Sequence, residues 1–317
     1  MFAKVIGKRS GAAIILLACL LLMAGCGANK NGGPAEVKDS GKQAELRTIS
    51  DAYGSVQVPA KPARVVVLDI GALDNLLALG IKPVGAPSIL TPGDPYPKYL
   101  GEAEGIANIG SVNEPNMEKI DSLRPDLIIG NKDTHSQIHD KLAKIAPTVF
   151  VETLGVTWKK NLQTHAEAVG KGEEGKKLLD DYQKRTDELK KKIGTAGPKV
   201  SVIRTRADKA QIYLTETFSG VILADAGIVR PEAQRGTGFS KDVTLEQVAD
   251  LDGDVIFWFT RENGSFEKLQ KSPLWDTLKA VKEKRVYQVE WETWMSGLGI
   301  KAVNKVVDDL FAYLAKS

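Results

Sequence analysis

The chain has 317 residues, with 43 basic and 40 acidic side chains, 43% hydrophobic residues and only two cysteines. Charge this balanced leaves no electrostatic footprint for non-specific nucleic-acid binding, so no nucleic-acid partner is expected. Two cysteines cannot build a disulfide framework, so stability rests on a buried core, which a chain of this length can supply.

Lys4, Lys8 and Arg9 precede an apolar run from Ala12 to Ala24. A basic stretch, a short apolar run and small residues after it form a secretory signal. The run is shorter than the roughly 20 apolar residues of a transmembrane helix. Removing the segment leaves acidic and basic side chains equal in number. Leu22-Met23-Ala24-Gly25-Cys26 resembles a bacterial lipobox, which is cut before the cysteine that carries the lipid; Met23 stands where Leu or Val is usual. The expectation is a lipoprotein signal peptide at 1–25, lipidation at Cys26, and export to the outer face of the cytoplasmic membrane. Residues 26–46, rich in Gly, Lys, Asn, Asp and Ser, read as a flexible tether.

Strand-like and helix-like segments then alternate. Arg64–Leu68 is a β-branched run, and Ala72–Leu79 reads as a helix with Gly80 as its C′ residue. Asp126–Ile129 and Thr148–Val151 are further apolar strands. Continuous apolar runs of this kind suit strands covered on both faces, as in parallel α/β sheets. Glu173–Ile193 places Leu178, Tyr182, Leu189 and Ile193 on one helical face. Four acid-to-base pairs at i,i+4 line its polar side: Asp180–Lys184, Asp181–Arg185, Asp187–Lys191 and Glu188–Lys192. Val200–Ile203, Ile212–Leu214, Asp254–Phe259 and Arg285–Val289 repeat the strand style, and Ile300–Leu314 closes the chain as an amphipathic helix. The division is an N-terminal lobe at 47–170, a bridging helix at 171–197 and a C-terminal lobe at 198–317. The fold class is α/β, with two Rossmann-like lobes joined by one long, stiff helix.

One internal repeat supports the two-lobe reading. Residues 116–130 align without gaps to 244–258, matching Glu118 with Glu246, Leu123 with Leu251 and Asp126 with Asp254. Each block reads as cap, short helix, tight turn and buried strand, and Thr244 with Gln247 has the pattern of a capping box. Equivalent halves imply a cleft between them, where small ligands bind.

Arg64–Leu68, Leu76–Gly85, Pro115–Ile120, Leu123–Ile129, Lys144–Val149, Gly220–Leu223 and Asp252–Ile256 together resemble the class III substrate-binding lipoproteins of iron–siderophore ABC importers. The resemblance runs from about residue 47 to the end. It implies the class III periplasmic binding protein fold and a shallow interlobe cleft. It also implies a ferric siderophore as ligand, with no intrinsic cofactor, and an ABC permease that docks through Glu118 and Glu246. Helix dipoles alone would also favour an acid at the second helical position. A monomer is expected.

Iron inside a siderophore is already saturated, so the protein needs aromatic walls and cationic donors rather than metal ligands. Arg204 and Arg206 lie at the C-terminal end of the strand from Val200, where open α/β sheets bind ligands; solvated pairing with Asp208 is the alternative. Trp258 and Arg261 end the strand from Asp254, Tyr213 ends another, and Trp291 and Trp294 lie in a polar stretch before the last helix. Each tryptophan alone is equally a packing residue. Trp294 is the leading aromatic candidate, Arg235 a loop candidate, and His135 follows the N-lobe strand with Asn131 and Lys132. Thr134 stands where relatives that bind citrate-type siderophores often carry an arginine. The favoured ligand is therefore of hydroxamate or citrate–hydroxamate type, with ferric catecholate, haem or cobalamin as alternatives.

A free divalent metal ion is the other alternative, but it needs several converging His, Asp or Glu ligands. His135 and His139 at i,i+4 are few for that. No enzyme is expected: Gly170–Lys177 lacks the Ser or Thr and the preceding strand of a P-loop, and Met295–Gly299 lacks the glycine before Ser296 of a nucleophile elbow.

Overall fold

A computed structural model describes residues 45–89, 93 and 95–315. The signal segment, Cys26 and the tether through residue 44 lie outside the described residues. Among the described residues, twelve strands form three sheets. Strands β1 (Leu46–Asp51) and β2 (Gly54–Pro59) make an antiparallel hairpin, unforeseen from sequence, that begins inside the stretch read as tether. The Arg47 guanidinium ties it down, donating to the carbonyls of Glu167 and Ala168 at 2.6 and 3.0 Å.

The N-lobe sheet holds β3 (Val65–Val67), β4 (Gly85–Ser88), β5 (Ala107–Ser111), β6 (Leu127–Asn131) and β7 (Thr148–Val151). Its order is β5-β4-β3-β6-β7, parallel throughout. The C-lobe sheet holds β8 (Val200–Thr205), β9 (Ala210–Tyr213), β10 (Ser240–Val243), β11 (Val255–Phe259) and β12 (Val286–Gln288). Its order, β10-β9-β8-β11-β12, repeats the N-lobe pattern, except that β9 runs antiparallel to both neighbours. The sequence repeat therefore maps β6 onto β11, residue for residue. The shared aspartate does the same work twice. Asp126 accepts the backbone N–H groups of Ala63 and Arg64 at 2.7 and 2.9 Å, and Asp254 accepts that of Lys199 at 2.7 Å. In each case the carboxylate secures the start of the adjoining strand.

Strand alternation sorts the core. Val255, Phe257 and Phe259 face a cluster shared with the bridging and C-terminal helices, while Ile256 faces a second cluster on the other side of the sheet. The helix Ile70–Ala78 ends at Leu79, with Gly80 at φ 73° as its C′ residue.

The bridging helix runs Gly172–Ile193, with Glu173 and Glu174 in its first turn and three lysines in its last, both complementing the helix dipole. Tyr182 and Leu189 are buried along it, Tyr182 edge-on to Trp158 at 4.8 Å. Of the four expected ion pairs, Glu188–Lys192 forms, at 3.2 Å. Asp181 instead takes Lys177 and Lys184, Asp187 accepts from Gln183, and Arg185 reaches Asp308 and Asn304 on the C-terminal helix Ile300–Leu314. Exposed pairs on one helix contribute only about 0.3–0.5 kcal/mol, so a tertiary partner within reach displaces them.

The lobes also meet directly. Asp74, fully buried on the first N-lobe helix, accepts the backbone N–H groups of Lys301 and Ala302 at 2.7 and 2.9 Å, and Asn75 accepts that of Ile300 at 2.9 Å. These are the first N–H groups of the C-terminal helix, whose own N-cap residue, Gly299, has no side chain to offer. A Cβ on Gly299 would lie 2.5 Å from Asp74, so the glycine also permits the approach. Asn75 in turn meets His165 Nδ1 at 3.0 Å.

Candidate functional site: the interlobe cleft

A cavity of about 510 Å³ opens between the lobes. The segment after β7, Thr153 to Val156, forms its N-lobe wall; Tyr213, Phe218, Phe239, Met295 and Leu298 contribute from the other side. Val156 and Phe239, 41% and 52% exposed, present apolar surface from opposite lobes. Among the described lining residues Glu216 alone carries a formal charge, and it already accepts the Gly238 N–H at 2.9 Å. Thr217 caps the helix Phe218–Asp225 through Gly220 N–H, which fixes Phe218 in the wall.

The arginine candidates separate. Arg204 pairs in register with Phe259 on β11, so its side chain leaves the sheet on the face that carries Val202, Tyr213 and Phe259. That is the face bearing the cavity wall. Its Nε is buried without a hydrogen-bond partner. Trp291, 9% exposed, also buries an unpartnered indole N–H, and the Arg261 guanidinium lies 4.5 Å from its ring centroid. An orphaned buried donor normally costs about 1–3 kcal/mol, so the Arg204 Nε and the Trp291 indole N–H are each open to an acceptor the chain does not itself supply. Arg206 lies past the end of β8, paired with Glu262 at 3.5 Å rather than with Asp208. Arg235 is exposed, with its Nε on the Arg230 carbonyl.

The aromatic candidates need correction. Trp294 borders the cavity but exposes none of its ring; its indole N–H donates to Asp309 at 2.8 Å and it packs on Phe257. The turn Trp291–Trp294 points it into the core. Trp258 projects from the opposite face of β11 to Arg204 and stacks on Phe266 at 3.6 Å. Tyr213 does line the cavity, edge-on to Phe239 at 5.2 Å. His135 is buried, with Nε2 on the Val112 carbonyl and Nδ1 facing the Asn131 N–H, so both ring nitrogens are occupied within the N-lobe. Lys132 pairs with Glu152, and Asn131 spans Asp69 and Thr134. His139 stacks on Tyr53, and among the described residues no group of three His, Cys, Asp or Glu converges to hold a metal ion.

Glu118 and Glu246 are both exposed, each at the second position of its helical turn. Asn116, which caps the first turn, donates its N–H to Ile109 on β5, and Thr244 directly follows β10. These are the outermost strands of the two sheets. Val243 aligns through Ala210 with Thr205, the C-terminal end of β8. Glu246 thus follows the carboxyl end of its edge strand, whereas the segment leading to Glu118 turns back after β5 and runs beside its middle at Ile109. The Thr244 hydroxyl and the backbone N–H of Glu246 hold the Glu246 carboxyl below the ordinary range. Thr244 N–H reaches the Gln247 side chain at 3.3 Å, as the capping-box pattern requires.

A family model described as periplasmic binding protein matches residues 65–291. The chain belongs to the periplasmic binding protein family. It is 39% identical, over 96% of its length and 97% of the relative's, to a probable siderophore-binding lipoprotein, YfiY, of Bacillus subtilis. The iron(3+)-hydroxamate-binding protein FhuD of the same organism is 32% identical over 89% of this chain and 90% of its own. Among solved structures, Staphylococcus aureus SirA complexed with staphyloferrin B superposes with a TM-score of 0.76 at 28% identity, covering 84% of this chain and 98% of SirA. As a periplasmic binding protein the chain is a solute-binding protein of the α/β two-lobe class. Among its described residues no helix is long and apolar enough to cross a membrane.

Sequence reasoning missed Val156 and Phe239. Phe239 follows Gly236-Thr237-Gly238, with Gly238 at φ 101°, a loop whose glycines leave a large aromatic side chain no core to enter. It also missed Asp74 and Asn75, although two polar residues inside the apolar run Ile70–Leu79 signal a buried polar contact.

Proposed function

We propose that the protein captures a ferric siderophore outside the cell and delivers it to an ABC permease, anchored to the membrane through lipidated Cys26. The observation that carries this reading is the pairing of an apolar interlobe cavity with Arg204, a half-buried cation on the same sheet face whose Nε is buried without a partner. The chelate's oxygens accept from Arg204 and the Trp291 indole, and its organic shell packs between Val156 and Phe239. Iron is cargo and needs no ligand from the chain. A wall so largely apolar suits hydroxamate or citrate–hydroxamate chelates better than multiply charged citrate complexes. The hydroxamate-binding relative supports this class, and SirA complexed with staphyloferrin B supports a siderophore as ligand. Glu118 and Glu246, standing at matched places on the two lobes, offer two carboxylates to basic residues of the permease.

The test is a tryptophan-fluorescence titration of residues 27–317 with a ferric hydroxamate, a ferric catecholate, ferric citrate, haem and free divalent metals. Submicromolar quenching by a ferric hydroxamate or citrate–hydroxamate is expected, and Arg204→Ala abolishes it. A response to haem or a bare metal alone overturns the ligand assignment. For docking, Glu118→Ala with Glu246→Ala abolishes iron uptake and leaves ligand affinity unchanged; normal uptake in that double variant ends the docking role.

A further inference from the structure

Beside Glu246 lies a second concavity, separate from the interlobe cavity. It encloses about 370 Å³ and is lined by Glu246, Lys268, Lys271, Ser272, Pro273 and Leu274. Its floor is apolar, with Leu274 left 38% exposed. That exposure is built in. The next residue, Trp275, is buried and packs edge-on against Phe266 at 5.4 Å, and its N–H donates to the Ser272 carbonyl at 3.0 Å. Ser272 Oγ accepts the Leu274 N–H at 3.4 Å, and Thr277 donates to the Leu274 carbonyl. With Trp275 drawn into the core, the turn holds Leu274 outward.

Charge is distributed unevenly around the rim. Glu246 is held ionised on one side by the Thr244 hydroxyl and its own N–H. Lys268 and Lys271 stand on the other; Lys268 donates to the Ala207 carbonyl at 3.1 Å. An occupant that satisfies all three features carries a basic side chain, then an apolar one, then an acidic one.

We infer that this recess is a socket for a loop of the permease, which places a basic residue on Glu246, an aliphatic or aromatic side chain against Pro273 and Leu274, and an acidic residue at Lys268 and Lys271. The inference rests on the docking role proposed for Glu246 and adds to it a hydrophobic anchor on the C-lobe. An exposed ion pair between two proteins contributes mainly to encounter and orientation, whereas a buried apolar anchor supplies lasting affinity. The socket therefore governs how long the loaded protein stays docked.

The experiment uses the full lipoprotein in the cells that naturally make it, with a photo-crosslinking amino acid at Lys271 or, as an N-lobe control beside Glu118, at Lys119. Irradiation at position 271 is expected to give an adduct with a polytopic ABC permease subunit. Leu274→Asp is expected to lower its yield about tenfold, while Leu274→Met keeps it. Circular dichroism confirms that both variants fold. An undiminished adduct in Leu274→Asp overturns the socket. Adducts from position 119 alone also overturn it, and leave the glutamate docking role standing. Adducts from neither position defeat that docking role as well.

Discussion

Replacing Asp74 with Asn should change the shape of the protein's pH–stability curve. Burial pushes the Asp74 carboxyl from 3.8 up to about 7, against the opposing pull of the Lys301 and Ala302 N–H groups. Between those values the folded chain holds a proton that the unfolded chain has released. Stability then falls as pH rises, by at most about 1.4 kcal/mol per unit. His165 moves the other way: burial lowers it from 6.5 to about 4, partly offset by the charge of Asp69. Between about 4 and 6.5 the unfolded chain binds a proton that the folded chain refuses, so stability rises with pH at the same limiting slope. In the wild type the two slopes oppose each other across that window, and only a short Asp74 decline remains up to about pH 7. Asp74→Asn removes the decline and leaves the His165 rise exposed. The variant should therefore gain roughly 2 kcal/mol between pH 4.5 and 6.5, while the wild type stays nearly flat. At pH 4.5 it should also be less stable, by about 1–3 kcal/mol, because the Lys301 and Ala302 N–H groups each meet a different carboxyl oxygen and the amide keeps only one. His165→Gln should show the mirror result, a curve that falls across the same window. Asp181, Asp242, Asp254 and Glu246 are all held low, so their contributions are lost only below about pH 4. Asp309 is raised by burial and adds a small decline common to every variant. Urea unfolding at half-unit steps from pH 4.5 to 7.5 measures this directly. Parallel curves for wild type and Asp74→Asn would refute the argument.

Three further predictions concern the cleft and the repeat. Phe239→Ala should weaken siderophore binding about tenfold in the fluorescence titration and shift the melting temperature little, because a side chain 52% exposed contributes little to the core. Asp126→Ala and Asp254→Ala should each cost about 1–3 kcal/mol by denaturant unfolding, since each frees at least one strand-securing N–H; a neutral result at both would show that the repeated aspartate has no structural role. Gly299→Ala should destabilise by about 1–3 kcal/mol, because its Cβ would meet Asp74 at 2.5 Å, and unchanged thermal stability would mean that the lobes shift apart freely at that point.

The strands were legible because both sheets are buried on two faces, and residues such as Val65–Val67 and Leu127–Ile129 must then be apolar without interruption. The hairpin β1–β2 was not, since only Ile49 and Val58 along it are buried and its pattern is nearly polar throughout. The gapless repeat correctly equated β6 with β11 and matched Glu118 with Glu246, each at the second position of its helical turn. Its weakness was with side-chain direction. Arg204 aligns with Phe259, so a residue one position away, Trp258, must leave the sheet on the other face, and the two cannot share a ligand. That parity follows only once register is known, and register between distant strands is not written in local sequence. Trp294 borders the cavity but is fully buried: its acidic neighbours suggested exposure, whereas a single helical turn places residues three apart on one side and sends Trp291 and Trp294 inward together.

The bridging helix alone would let the lobes pivot about its length, but three other links limit that motion. Asp225 on the C-lobe accepts from Tyr182 of the bridging helix at 2.6 Å and from Lys159 of the N-lobe helix Trp158–Ala168 at 2.7 Å. Arg185 joins the bridging helix to the C-terminal helix. The third link, from Asp74 and Asn75, clamps the start of that same helix to the N-lobe from within the core. A wide opening would strand three buried N–H groups and separate packed surfaces, whereas a small twist about the clamp would break none of them. Capture must then rely on a cleft that already has its shape before the ligand arrives, with selectivity residing in the walls rather than in closure. Under the docking role proposed for Glu118 and Glu246, rigidity has a direct consequence: their spacing is expected to change little on loading, so that the two carboxylates act as a fixed docking gauge.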